Sequence, residues 1–465
     1  MQPSNKKYSP RKILENVEVV DVAVKGKSIA RIGEVVVLLD GGVPGDVVDV
    51  KIKRKRKNYW EGYPIAFRRY SPYRAQPFCD HYGACGGCKW QEVAYEHQLR
   101  FKQKMVTDNL HRVAGLENVT VPAVVPSPQP RRYRNKMEFS FTSRRWLSPE
   151  EVASGEPIAD RRGLGLHFAG RFDWIVHIHR CHLASPDQDT IRNHIFEKAV
   201  AYQIPFYEPI KGKGGLRSLV LRSNLEGEWL VLLVGSEAPD AALHRLLDDA
   251  ARLEGVRSVY YGQNQQRNDA LTNVTLHHWA GDRLLPQPMK HRRYYVGPLS
   301  FFQPNTQQAV NLYETVRRFV PENTRTLLDA YCGIGAIGLW VADRTDKVVG
   351  IETVPEAVEM ARYNAEQNGI DHAAFYHLSA DEVEQVTDTF DVVVVDPPRA
   401  GLSKKMVDFL RRNQPARIIY VSCNPATQAR DVGLLKDRYH MVFIQPFDMF
   451  PHTPHVENII VLDRI

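Results

Sequence analysis

From Thr326 onward the chain repeats one unit: a valine- and isoleucine-rich run, a turn and a helical segment. The copies read "TLLDAYCGIGAIGLWVA", "KVVGIETVPEAVEMARYNAEQNG", "DVVVVDPPRAGLSKKMVDFLRR" and "RIIYVSCNPATQARDVGLLKD". Apolar runs alternating with helices leave a parallel sheet covered on both faces as the consistent arrangement. Ligands of such a sheet sit at the carboxyl ends of its strands, so the turns after these runs are where chemistry is expected.

Each turn carries a residue suited to it. "GIGAIG" (Gly333 to Gly338) follows the first strand; glycines such as Gly333 and Gly335 let the backbone approach a nucleotide, and Glu352, ending the next strand, can accept hydrogen bonds from ribose hydroxyls. A nicotinamide or flavin cofactor would satisfy those features equally. "DPPR" closes the third strand, where prolines stiffen the loop so that Asp396 faces a bound base or cofactor, an arrangement of methyltransferases that use S-adenosylmethionine. In "VSCNPAT", Cys423 ends a buried strand ahead of a helix beginning near Ala426, and a helix N-terminus is expected to lower its pKa toward thiolate. "PHTPHVEN" then offers His452, His455 and Glu457 before the last strand. Their spacing is not a zinc pattern, so Glu457 reads as a general base serving an intermediate on Cys423.

A chain of 465 residues exceeds one ordinary core, so two or three domains are expected. Residues 13 to 68 alternate short β-branched runs with glycine turns, as a small closed barrel does. Prolines in "YSPYRAQP" mark a boundary. A helical stripe of Tyr95, Leu99, Val106, Leu110 and Val113 follows within a helix over 93–116, which is expected to pack on the last domain. From about Arg132 to Gly297 strands mix with one clear helix. The divisions are 1–70, an OB-like barrel; 71–297, an α+β region; and 298–465, a Rossmann-like α/β domain. No apolar run reaches the ~20 residues that cross a bilayer, and the polar opening "MQPSNKKYSPRK" is not a secretory signal; a cytoplasmic monomer without membrane partners is expected.

The motifs "FFQPN", "DAYCGIG", "GIE", "DPPRAG", "VSCNPAT" and "HTPHVE", in this order, resemble the RNA uracil-5-methyltransferase family, whose larger ribosomal members carry an N-terminal TRAM barrel and a cysteine cluster like "CDHYGACGGC". The resemblance covers nearly the whole chain. It implies a class I S-adenosylmethionine-dependent enzyme in which Cys423 adds to carbon 6 of a uracil, activating carbon 5, and Glu457 removes the carbon 5 proton after methylation. It matches Gln303, Tyr331 and Glu352 to cofactor contacts, Asp381 to the adenine side, and Asp396 to the uracil edge or the cofactor. Some relatives carry asparagine where this chain has Ala336, so that side-chain contact is missing. RNA cytosine-5 methyltransferases use an additional cysteine near the region of "DPPR"; this chain has none there, which favours uracil.

Of six cysteines, Cys332 sits in the glycine loop and Cys423 is claimed for chemistry. Cys79, Cys85, Cys88 and Cys181 remain, the inventory of a 4Fe-4S cluster or a tetrahedral zinc; the resemblance favours iron–sulfur, tying the loop at 79–88 to the strand before Cys181. An RNA partner is expected from a net charge of 61 − 54 = +7 and from its distribution. In "KIKRKRKNYW", Lys53, Arg54, Lys55 and Arg56 offer phosphate attraction beside aromatics. In "RYRNKMEFSF", Arg134, Asn135 and Lys136 stand among aromatics suited to an unstacked loop. By resemblance the substrate is 23S rRNA, with the same reaction on tRNA as the alternative and a non-catalytic RNA-binding assembly factor as the reading from another class.

Overall fold

The computed structural model describes residues 12–23, 26–208, 212, 214–266, 270–386 and 389–465; the basic opening segment, residues 1–11, lies outside them. Five strands, β1 (Ile13–Val22), β2 (Ser28–Ile32), β3 (Val35–Leu39), β4 (Val47–Lys55) and β5 (Tyr59–Arg69), close into a barrel in the order β1-β2-β3-β5-β4. Their alternation resolves into an interior of Val19, Val37, Leu39, Val48 and Val50.

Helix α1 (Tyr95–Asn109) runs straight into a π-helical turn over Leu110–Ala114. Its buried face is Gln98, Lys102, Val106 and Leu110, while Val113 is 49% exposed. This corrects the expected stripe. The first two buried positions are polar because their partners lie in a distant segment, and the wider last turn changes the helical phase.

A central seven-stranded sheet joins β6 (Lys136–Thr142), β7 (Gly163–His167), β8 (Ile175–His177), β9 (Leu216–Ser223), β10 (Trp229–Gly235), β11 (Val256–Gln263) and β12 (Thr275–Gly281) in the order β12-β11-β10-β9-β6-β7-β8. A short α2 (Pro149–Ser154) connects β6 to β7, while α3 (Pro186–Ala201) and α4 (Ala241–Ala251) cover one face, meeting Phe139, Leu219, Leu221, Val231 and Leu233. The alternate residues Val220, Leu230, Leu232 and Val234 face the other way and join one core with the hairpin β13 (Leu285–Met289) and β14 (Arg292–Val296) and with the last domain.

That domain is the expected doubly wound sheet. Strands β15 (Thr324–Ala330), β16 (Thr345–Glu352), β17 (Ala373–His377), β18 (Val392–Val395), β19 (Arg417–Ser422), β20 (Tyr439–Phe447) and β21 (Glu457–Arg464) take the order β17-β16-β15-β18-β19-β21-β20. Helices α5 (Thr306–Phe319), α6 (Ala336–Trp340) and α7 (Pro355–Gln367) pack on one face. Helices α8 (Lys404–Asn413) and α9 (Pro425–Leu435) pack on the other, together with Val106 and Leu110 from the α1 segment. Val106, Leu110 and Ala114 of the 93–116 region thus share a core with the last sheet. No helix of the described residues is long and apolar enough to cross a membrane.

Candidate active site and cysteine pocket

Strand β21 runs antiparallel to β19, with Ser422 opposite Asn458. Its first residue therefore lies at the same sheet edge as the carboxyl ends of the parallel strands, and the register carries Cys423 next to Glu457. Asp396, one residue beyond β18, completes the group. Helix α9 follows immediately, capped by the Asn424 side chain, which accepts from the Ala426 amide at 3.2 Å.

The electrostatics of this edge correct one expectation. Burial pushes the Cys423 thiol up to about 11, and the charges of Glu457 and Asp396 push the same way, against a hydrogen bond from Arg399. A helix N-terminus supplies only a partial positive charge, and two carboxyls outweigh it. Burial raises Asp396 to about 7 and holds Glu457 well above the usual carboxylate range, with Asp396 adding to the effect and Arg399 opposing it. Three acids in one water-poor corner cannot all ionise together, so each one's charge holds the others' protons on more tightly. Arg399, visible in "DPPR" but not singled out from the sequence, is the cation that tempers this.

Beside it, the glycine loop is shaped for a nucleotide. Tyr331, Gly333 and Gly335 have φ of 66°, 54° and 80°, the left-handed region that glycine enters freely and tyrosine rarely does. Glu352 is fixed against the loop: Gly333 donates to its Oε2 at 3.1 Å, and Thr353 and Val354 donate to its Oε1 at 2.7 and 3.0 Å. Beneath lies Asp329, missed from the sequence, whose Oδ2 accepts the Gly338 amide at 2.7 Å and whose carboxyl burial raises to about 7. A Cβ on Gly338 would come within 2.9 Å of that oxygen. The available signal was one acid inside the apolar run "TLLDA". Asp381 is exposed at the rim, bonded from the Ser403 hydroxyl. Gln303 is buried, its carbonyl accepting from Asn135 at 2.8 Å.

Cys79, Cys85, Cys88 and Cys181, none of them in a disulfide, line one small cavity of about 30 Å³ with Gln91, Leu166 and Ile178 among its other walls. Burial pushes Cys85 to about 12 and Cys88 to about 11, and the neighbouring thiols add to the rise. Among the described residues no group of three or more histidine, cysteine or acidic side chains is placed so that it could hold a metal ion; that holds for His452, His455 and Glu457 and also for the expected set of Cys79, Cys85, Cys88 and Cys181. The four thiols nevertheless share that one cavity, soft donors of the kind a metal or cluster would need, and the Gly87 amide points at Cys85 Sγ at 3.4 Å, the kind of bond that can stabilise a sulfur carrying charge.

The expected RNA contacts divide. Lys53, Arg54, Lys55 and Arg56 are exposed on β4 and the following turn, and Lys55 lies 4.3 Å over the Trp60 ring. Asn135 is buried, its amide donating to the Gln303 carbonyl and to Thr306 Oγ1 at 2.9 Å, so it is corrected to an internal strut. Arg134 is half-buried and interacts with Tyr133, Cys88 and Cys181, facing the cysteine pocket. Lys136 is half-buried, pushed down to about 8 by burial and then by Arg222. The aromatics meant for bases, Tyr133, Phe139 and Phe141, are core residues: strand alternation turned them inward.

The family described as tRNA (uracil-5-)-methyltransferase matches residues 274–465. An uncharacterized RNA methyltransferase of Bacteroides thetaiotaomicron is 39% identical over 454 residues, covering 95% of this chain and 100% of the relative. Another, of Porphyromonas gingivalis, is 39% identical over 96% of this chain and 99% of its own. Among solved structures, the Pyrococcus abyssi tRNA (uracil-54, C5)-methyltransferase in complex with S-adenosyl-L-homocysteine is 30% identical with a TM-score of 0.75, covering 96% of this chain and 100% of that one. With a doubly wound sheet, a glycine loop at its ligand edge and likeness along nearly its whole length, the chain belongs to the RNA uracil-5-methyltransferase family and is an S-adenosylmethionine-dependent RNA methyltransferase.

Proposed function

We propose that the protein methylates carbon 5 of an unpaired or flipped-out uridine in 23S rRNA, with Cys423 as nucleophile and Glu457 as base. The observation that carries this is the Ser422–Asn458 register, which brings a thiol and a carboxyl from two strands to one corner. S-adenosylmethionine, when bound, supplies a methyl group on a cationic sulfur; Gly333, Gly335, Tyr331, Glu352, Gln303 and Asp381 are its proposed holders. The Cys423 thiol gives up its proton to solvent, the thiolate sulfur bonds to carbon 6, and the displaced C5=C6 pair makes carbon 5 nucleophilic. Once carbon 5 carries the methyl group, Glu457 takes its proton, the C5–H pair forms the C5=C6 bond, and the C6–S bond breaks to return the thiolate. Asp396 orients the uracil edge or the cofactor. A cation held at this edge would favour the ionised form of Glu457, the form that accepts that proton. The exposed Lys53 to Arg56 supply phosphate attraction.

The alternative is a tRNA uridine. It is favoured by the likeness over 96% of this chain to an archaeal tRNA enzyme, which leaves the barrel and cysteine segment neutral between the two RNAs. Incubation with methyl-labelled S-adenosylmethionine and separated ribosomal and transfer RNAs, followed by mapping of the labelled base, tests both readings. Label in 5-methyluridine of 23S rRNA is expected; label in tRNA alone replaces the target, and label in neither overturns the function.

The four pocket cysteines are proposed to hold a 4Fe-4S cluster, zinc being the alternative, with a structural role. Cys85→Ser is expected to remove the visible absorbance near about 400 nm and RNA binding together. Colourless protein with stoichiometric zinc gives the alternative, and normal RNA binding without colour overturns the structural role.

A further inference from the structure

The connector between β20 and β21, residues 448–456, delivers Glu457 to the sheet edge, and most of the bonds that hold it come from outside the last domain. Lys102 Nζ donates to Asp448 Oδ1 at 2.5 Å and to the Phe450 carbonyl at 3.0 Å, and Tyr95 donates to Asp448 Oδ2 at 2.8 Å. The tightest hold is on His452. Its amide donates to Gln98 Oε1 at 2.9 Å, and its carbonyl accepts from the Lys89 and Trp90 amides at 3.0 and 3.1 Å. Its Nδ1 lies 3.2 Å from Gln98 Nε2, and its ring meets Phe78 edge-on at 4.9 Å. Gln98 is fully buried, and its Nε2 also donates to the Trp90 and Val93 carbonyls at 2.9 and 2.8 Å.

His452 needs such a hold. Its φ is 63°, a left-handed conformation that a non-glycine residue adopts at a cost and that persists only where the surroundings impose it. This strained residue turns the chain back toward β21, five positions before Glu457. Had the connector only to close a hairpin, a glycine would serve without the surrounding bonds.

We infer that Gln98 and His452 are positioning residues for Glu457: segment 89–102, continuous with the loop bearing Cys79, Cys85 and Cys88, clamps the connector so that the carboxyl meets the proton on carbon 5. The clamp has this meaning only if Glu457 is the base, the reading given above. Addition of Cys423 to the ring does not need Glu457 in place, whereas elimination does, so a loosened clamp slows the second half of the reaction selectively.

The test uses the full chain with RNA and S-adenosylmethionine and follows both methylated product and the covalent RNA–protein adduct on denaturing gels. Glu457→Gln is expected to accumulate adduct, and Gln98→Leu to do the same more weakly, with product release slowed about 10- to 100-fold and KM for RNA and cofactor unchanged. His452→Asn, which tolerates the left-handed backbone, is expected to release product within about threefold of wild type, whereas His452→Val, β-branched and ill-suited to positive φ, accumulates adduct. If Gln98→Leu fails to fold, the two His452 variants decide. Absence of adduct with Glu457→Gln overturns the base assignment itself. Adduct with Glu457→Gln but wild-type release by Gln98→Leu or His452→Val overturns the clamp, as does loss of adduct formation in step with methylation.

Discussion

Replacing Cys423 with alanine is expected to lower single-turnover methylation by about 10⁴-fold or more, the scale of losing a nucleophile that works with a base, and to abolish covalent capture of RNA carrying 5-fluorouridine. No nearby group substitutes for it. Cys332 is buried in the glycine loop with its thiol pushed well up by burial, and the Ser422 hydroxyl is engaged with Asn424. The same geometry sets a pH dependence. The reactive form is the thiolate, and burial with two carboxyl neighbours holds the Cys423 thiol up at about 11. A group whose pKa is raised and which must lose its proton gives a rate that climbs with pH, so the wild-type single-turnover rate is expected to rise from pH 6 to about 9. A flat profile across that range would mean that the thiol is already ionised when RNA is bound. Full capture of the fluorinated RNA by Cys423→Ala would remove the covalent mechanism altogether.

The candidate site was legible where its residues sit at the ends of strongly patterned strands. In "VSCNPAT" and "DPPRAG" the valine-rich runs fix where the sheet ends, and the turn residues can then face only the ligand edge. The antiparallel last strand was not legible as such, and it is what sets Glu457 beside Cys423. The barrel was readable because β-branched runs and glycine turns agree at every position. In "RYRNKMEFSF" the alternation was present, but which face is the core depends on α3 and α4, far along the chain. The Cys423 pKa was misread because the helix dipole is local in sequence, while Asp396 and Glu457 come from other strands. The α1 stripe failed for a related reason. Gln98 and Lys102 look like solvent residues until the 448–452 segment, about 350 positions away, supplies their partners.

That segment carries the largest stability effect expected in the protein. Lys102 and Asp448 are both fully buried, 2.5 Å apart, and the Tyr95 hydroxyl bonded to Asp448 accepts in turn from the Ser127 amide at 2.9 Å. Burial pulls the Lys102 pKa down and Asp448 opposes the fall, so the ammonium depends on its partner. Lys102→Met keeps the side chain's bulk and leaves the Asp448 carboxylate without its cation, a loss of about 3–5 kcal/mol. At about 2–4 °C per kcal/mol for a domain of this size, the unfolding transition of the last domain should fall by roughly 10 °C. Lys102→Met combined with Asp448→Asn removes the uncompensated charge and should recover more than half of that fall, because the pair's mutual attraction is largely offset by its desolvation. Thermal or denaturant melts of the two single variants and the double variant make the comparison. A single variant within about 1 kcal/mol of wild type would mean that water reaches the pair, and a double variant as unstable as the single would mean that the loss comes from packing around residue 102 and not from the stranded charge.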